Sequence, residues 1–228
     1  MAALVAVNTV PLAGALFLGW DAAAIILLYW MENVVTGFYN VLRMVFWKAE
    51  VPAAHLVKLF IIPFFCIHFG GFCAGHGFFL LAFFKVGGGM QHFFPEPAWP
   101  GPLVFVQLLI AVISRLWQSL PAGMIWPVIG LFASHGISFV QNYLLGGEYR
   151  SASIGKLMGR PYARIVLLHV AIIAGGLPVM LLGSPIPLLC ILIVLKIALD
   201  VHMHRRSHRA ASEEEGPPDP TQEAHAKA

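Results

Sequence analysis

Between Lys58 and Lys85 the chain carries no Asp, Glu, Lys or Arg, yet it holds His68 and His76. A helix needs roughly 20 apolar residues to cross the hydrocarbon core of a bilayer, and this stretch is longer. It therefore predicts a membrane-crossing helix with two imidazoles inside it. Ionisable groups at that depth are costly and usually mark a pathway, a ligand site or a catalytic centre. Composition extends the argument to the whole chain. Of 228 residues, 59% are hydrophobic and only 11% charged, whereas soluble domains carry about 25% charged residues. The expected fold is all-α, a polytopic transmembrane helix bundle whose partner is the lipid bilayer.

Apolar segments fall at residues 2–18, 22–47, 55–84, 103–120, 124–145, 161–182 and 187–204. Asp21 stands where an N-cap is needed before the second of them. The third, at about 45 Å, must tilt, protrude or break near Pro63 or Gly70-Gly71. Residues 86–102 are rich in Gly and Pro and read as a loop whose Phe93, Phe94 and Trp99 suit the headgroup layer. Residues 1–204 form the predicted bundle, and 205–228 a disordered tail. The N-terminus lacks a Lys/Arg region, so its first segment reads as a retained helix rather than a signal peptide. The net charge of +3 sits in loops and tail and gives nucleic-acid binding no support. Cys66, Cys73 and Cys190 have no metal or disulfide spacing. The residues specify no protein partner.

Positive charge sets the expected orientation. Arg43, Lys48 and Lys58 form one cluster; Arg150, Lys156, Arg160 and Arg164 a second; Arg205, Arg206 and Arg209 a third. The positive-inside rule puts all three on the cytoplasmic side. Six crossings satisfy this if residues 103–120 lie in the interface or re-enter, with Gln107, Arg115 and Gln118 on one polar face. Seven crossings are the alternative. The expected location is the cell membrane, with the C-terminus cytoplasmic.

Polar residues inside the apolar segments carry the candidate chemistry. Tyr29, Glu32, Asn33, Thr36, Gly37, Asn40 and Arg43 recur three or four apart, so they share one face of a helix. Ser134, His135, Ser138, Gln141 and Asn142 form a second polar set, and His169 stands near the middle of the 161–182 segment above Arg164. Glu32, His68, His135 and His169 each lie within about four residues, roughly 6 Å, of their segment centres, and His76 within about seven residues, roughly 10 Å, of its own. Ligand-type residues sent to one layer by several helices resemble the metal and cofactor sites of helix bundles. His68 and His76 are two turns and some 80° apart, so they cannot share a compact ion unless the glycines break the helix. The competing view is that these polar groups are interhelical hydrogen-bond glue, worth about 1 kcal/mol each.

Leu28-Tyr29-Trp30-Met31-Glu32-Asn33 with Gly37 and Asn40, His68-Phe69-Gly70 through Gly75-His76-Gly77, and Ser134-His135-Gly136 through Asn142-Tyr143 are distinctive. With Pro161-Tyr162-Ala163-Arg164 and Leu168-His169, they resemble a prokaryotic integral membrane family catalogued as domain of unknown function 6498. The resemblance spans about residues 1–200. It implies a multi-pass membrane protein with those elements at its core, and no activity.

The residues support four function classes. In a metal-dependent membrane enzyme, His68, His76, His135 and His169 supply ligands for zinc or another divalent ion, and Glu32 is the catalytic base. Tyr29, Asn33, Asn40, Ser134, Ser138, Asn142 and Arg164 then support them. Haem or quinone redox chemistry would use histidine pairs on facing helices. A proton- or cation-coupled transporter would use Glu32 and the histidines as a path. An assembly factor would use the polar layer for packing alone. Whether the chain is an enzyme stays open at this point.

Overall fold

The computed structural model describes residues 11, 13–49, 52–85, 94, 96–119 and 122–214; at 52, 53, 119, 122, 200 and 202–214 it describes the backbone alone. Residues 11 and 13–17 are helical, while the rest of the first predicted helix lies outside the described residues. So do most of the predicted 86–102 loop and residues 215–228 of the tail.

Helix α1 spans Ala22–Phe46. Asp21 starts it as the sequence predicts, its carboxylate accepting from the Ala23 and Ala24 amides at 2.9 and 3.4 Å. A 3-10 turn over Pro52–Leu56 leads into α2, Val57–Phe84. This helix runs unbroken through Pro63 and Gly70-Gly71 for about 42 Å, so of the three predicted options breaking is not taken. Helix α3 is Val104–Ser119, and α4 is Ile125–Ser138, loosening into a π-helix over Phe139–Leu145. Two short helices, α5 (Glu148–Ser151) and α6 (Ile154–Gly159), occupy the predicted polar loop. Helix α7 is Tyr162–Leu182, and α8 is Ile186–Glu214, which carries the last helix ten residues past the predicted end at 204. There is no strand among the described residues.

Among the described residues, five helical stretches are long and apolar enough to cross a membrane: Ala22–Phe46, Ala54–Phe84, Gly101–Gln118, Ile125–Leu145 and Ile154–Leu182. Ile186–Leu199 is a shorter apolar helix. The long α2 packs against α1, α3 and α7, while α1 also meets α4 and α8. Helices α7 and α8 form a tight antiparallel hairpin because Gly183 takes a left-handed φ of 63°, which costs a glycine no steric strain. The core between these helices is built around the buried side chains of Ile26, Trp30, Leu80, Val112, Leu168 and Leu188.

The cluster at the other end of α1 holds the 146–160 segment in place. Trp47 Nε1 donates to Ala152 O at 2.7 Å, Tyr143 Oη to Arg43 O at 2.7 Å, and Asn40 Nδ2 to Leu157 O at 2.8 Å. Asn40 is 1% exposed, so Asn40→Ala leaves a buried carbonyl without its donor. The expected loss is about 1 kcal/mol, read as a lower thermal midpoint in detergent; an unchanged midpoint contradicts this role.

The polar face predicted for residues 103–120 is divided in the structure. Gln107 is buried, donating to Pro97 O at 2.9 Å and accepting from the Trp99 amide at 2.8 Å, whereas Gln118 is exposed. Gln107 thus clamps the chain that enters α3, and the buried Val112 and Leu116 turn the helix into the core.

Candidate functional site

Two polar pairs form on opposite faces of α7. The first is an ion pair. Arg164, in the first turn of α7, donates Nη1–H to Glu32 Oε1 at 2.5 Å. Glu32 is 20% exposed and Arg164 42%, so the carboxylate is the deeper partner. Lys196 on α8 and His135 on α4 lie close enough to act electrostatically on that carboxylate. Lys196 also sits over the Tyr29 ring, 4.5 Å from its centroid, where the π-face attracts the ammonium.

The ion pair borders two cavities. One, of about 170 Å³, is lined by Glu32, Asn33, Arg160, Arg164 and Lys196 together with Leu167, Leu168, Leu192 and Leu199. Three of its side chains are cationic and one is anionic. The other, of about 650 Å³, is mostly apolar and runs from Trp20 and Asp21 past Ile25 and Leu28 to Leu131. Tyr29 and Glu32 line both. Asp21 shares its end of the bundle with Lys85 and Gly183, and Arg160 lies at the opposite end of α7. The two cavities therefore approach Glu32 from opposite ends of the helices.

The second pair is His76 on α2 with His169 on α7. His76 Nε2 and His169 Nδ1 stand 3.0 Å apart in a hydrogen bond. His76 is 4% exposed and His169 faces outward. Two turns away on the same helix–helix contact, His68 Nδ1 meets Tyr162 Oη at 2.8 Å. His68 and His76 thus form successive rungs to α7 rather than two ligands of one ion, as the unbroken helix requires.

The single Glu/His centre expected from the sequence is not gathered here. Among the described residues no three His, Cys, Asp or Glu side chains stand close enough to hold a metal ion. Glu32 faces Arg164, His76 faces His169, His68 faces Tyr162, and His135 stacks on Tyr39 at 6.2 Å between ring centroids. Shared depth does not mean shared azimuth, and each residue meets a different neighbour. The His76–His169 contact also leaves no room for axial ligation between those two nitrogens. At bond lengths of about 2 Å each, opposing ligands stand about 4 Å apart.

The supporting residues divide similarly. Asn33 is buried and donates to Tyr29 O at 3.3 Å, and Asn40 holds Leu157. Ser134 and Asn142 face outward, with Asn142 Nδ2 donating to Ser138 Oγ at 3.2 Å. The polar set of α4 therefore does not point into the bundle, apart from His135 at its edge. Sequence reasoning underrated three residues: Tyr162, Arg160 and Lys196. Lys196 reads first as the local partner of Asp200, and its mid-helix position in an apolar segment was the available signal. Tyr162 stands seven residues before His169, close to the eight that separate His68 from His76 on the facing helix.

Among the described residues, five helices of membrane-crossing length and composition, with an ion pair and a histidine pair between them, define a helix-bundle protein of the membrane type. Residues 1–216 match the family of unknown function (DUF6498), and the chain belongs to that family. No curated protein and no solved structure matches the chain.

Proposed function

We infer that this chain is a proton-coupled carrier for a small anion with an apolar body, and that the Glu32–Arg164 pair is its gate. The observation that carries this reading is the meeting of two cavities from opposite ends of the bundle at Glu32. An ion pair in an apolar bundle carries a desolvation cost that packing alone would not require. Protonating Glu32 removes its charge and releases Arg164, which then presents an unpaired guanidinium beside Arg160 and Lys196. An anionic headgroup fits that cationic wall. Its apolar body fits Leu167, Leu168 and Leu192 on one side and Ile25, Leu28 and Leu131 on the other. On this reading the three basic clusters lie on the cytoplasmic side of the cell membrane, and the smaller cavity opens there.

Two functional readings of the sequence give way to this one. A metal enzyme needs a third ligand beside the histidine pair, and among the described residues none is in reach. An assembly factor needs no cavities at the ion pair. The test is uptake of radiolabelled short- and medium-chain carboxylates by proteoliposomes under an imposed pH gradient. The wild type is expected to accumulate substrate in a gradient-dependent way. Glu32→Gln is expected to lose that gradient dependence, and wild-type coupling in this variant sinks the reading.

A further inference from the structure

The narrow cavity at the ion pair holds more positive charge than the pair accounts for. Arg160 and Pro161 have right-handed helical backbone directly ahead of α7. Arg160 and Arg164, four residues apart, therefore stand on one face of a continuous helical turn. Lys196 reaches the same cavity from α8, its ammonium over the Tyr29 ring. Glu32 answers Arg164. Among the described residues neither Arg160 nor Lys196 has a carboxylate within ion-pair distance. Arg43 and Glu148, which attract each other outside this wall, add no net charge. Three cations against one carboxylate leave the wall a formal surplus of +2 with Glu32 ionised. Leu167, Leu168, Leu192 and Leu199 supply most of the remaining lining, and surplus charge beside such a surface is costly unless a counter-ion meets it.

We propose that the headgroup taken here is a phosphate monoester, a dianion, carried on a hydrocarbon body. This rests on the carrier reading and names its substrate class. A phosphate monoester carries about −1.5 to −2 charges near pH 7 and three strong acceptor oxygens. With Glu32 ionised, the dianion matches the surplus on Arg160 and Lys196. When Glu32 is protonated, the third oxygen accepts from the released Arg164. A carboxylate or a phosphate diester brings a single charge and two such oxygens, so one cation stays unanswered. The two guanidinium forks suit phosphate geometry. At about 170 Å³ the cavity is below the roughly 300 Å³ at which whole-molecule sites begin, so it takes a headgroup and leaves the chain outside. Leu167 and Leu199 are partly open and give that chain an apolar way out to lipid.

The test uses the full chain in phosphatidylcholine nanodiscs and titration calorimetry, with empty nanodiscs correcting for partition. The probes are decyl phosphate, decyl methyl phosphate (a diester with one charge fewer), decanoate and inorganic phosphate. Near pH 7, decyl phosphate is expected to bind at least about tenfold tighter than the other two decyl compounds, the margin of one further charge-assisted hydrogen bond. Arg160 is exposed, so Arg160→Gln disturbs no packing, and it is expected to lose most of that margin. Equal affinity for the three decyl probes in the wild type overturns the proposal, and so does an unchanged margin in Arg160→Gln. Inorganic phosphate binding as tightly as decyl phosphate overturns the hydrocarbon body. Binding is read without a gradient, so the two readings fail separately. A decyl phosphate preference without gradient-coupled uptake removes the carrier reading alone, and coupled uptake without the preference removes this headgroup alone.

Discussion

Arg164→Gln is expected to abolish substrate uptake and to destabilise the bundle more than Glu32→Gln does. The asymmetry follows from burial. Removing Arg164 strands a carboxylate that is 20% exposed, whereas removing Glu32 strands a guanidinium that is 42% exposed and can reach water at its end of the bundle. Breaking a fully buried ion pair costs about 3–5 kcal/mol. Partial exposure, and the nearby Lys196 that can take over part of the pairing, reduce this to about 1–2 kcal/mol for Arg164→Gln. Glu32→Gln is expected to cost less than about 1 kcal/mol. The double variant leaves no unpaired charge at this position and is expected to regain most of the stability lost in Arg164→Gln. Uptake is not expected to return with it. Unfolding in mixed micelles measures the first quantity and proteoliposome uptake the second. If uptake and stability recover together in the double variant, the pair is a structural strut and the gate reading fails.

How far the sequence constrained this site can be judged residue by residue. Local signals were legible: Asp21 caps α1, and the segments expected at 22–47, 55–84, 103–120, 124–145 and 161–182 became helices close to those bounds. The segment that carries each of Glu32 and the four histidines was legible as well, since each of those segments is helical. Azimuth was not. Residues at one level of a bundle are brought together only if their helices are rotated towards a common axis, and helix periodicity alone does not set that rotation. Packing sets it. Gly77 lets Trp30 approach α2, and Val112 and Leu116 fix α3. His76 consequently faces α7 and His135 faces Tyr39. Arg164 illustrates the same limit from the other side. Its class and place in the basic cluster were plain, but its partner Glu32 lies 132 residues away, and only the fold brings α7 beside α1.

The largest stability effect is expected at Trp30, which sets those rotations. Its side chain is fully buried, and its indole Nε1–H donates to Cys73 O at 2.8 Å. The ring lies so close to α2 that a Cβ at Gly77 would stand 2.6 Å from Trp30 Cζ2, and equally close to Val112 Cγ1. Three helices therefore meet at one indole. In lipid the separated helices are already in an apolar medium, so the transfer part of burial adds little and packing carries the energy. Trp30→Ala opens a cavity of roughly 120 Å³, which at about 24 cal/mol per Å³ costs about 3 kcal/mol; the lost hydrogen bond adds about 0.6 kcal/mol. Gly77→Ala drives a methyl into the same ring and is expected to cost about 1–3 kcal/mol by overpacking. Trp30→Phe removes part of the ring and its donor for about 1 kcal/mol, and it vacates the space the new methyl needs. The double variant Trp30→Phe, Gly77→Ala should therefore be more stable than the sum of its two single losses by about 1 kcal/mol, the coupling expected of residues in direct contact. Unfolding of the four proteins in mixed micelles gives that number, and strict additivity would mean that Trp30 and Gly77 do not share the contact on which the rotation of α1 against α2 depends.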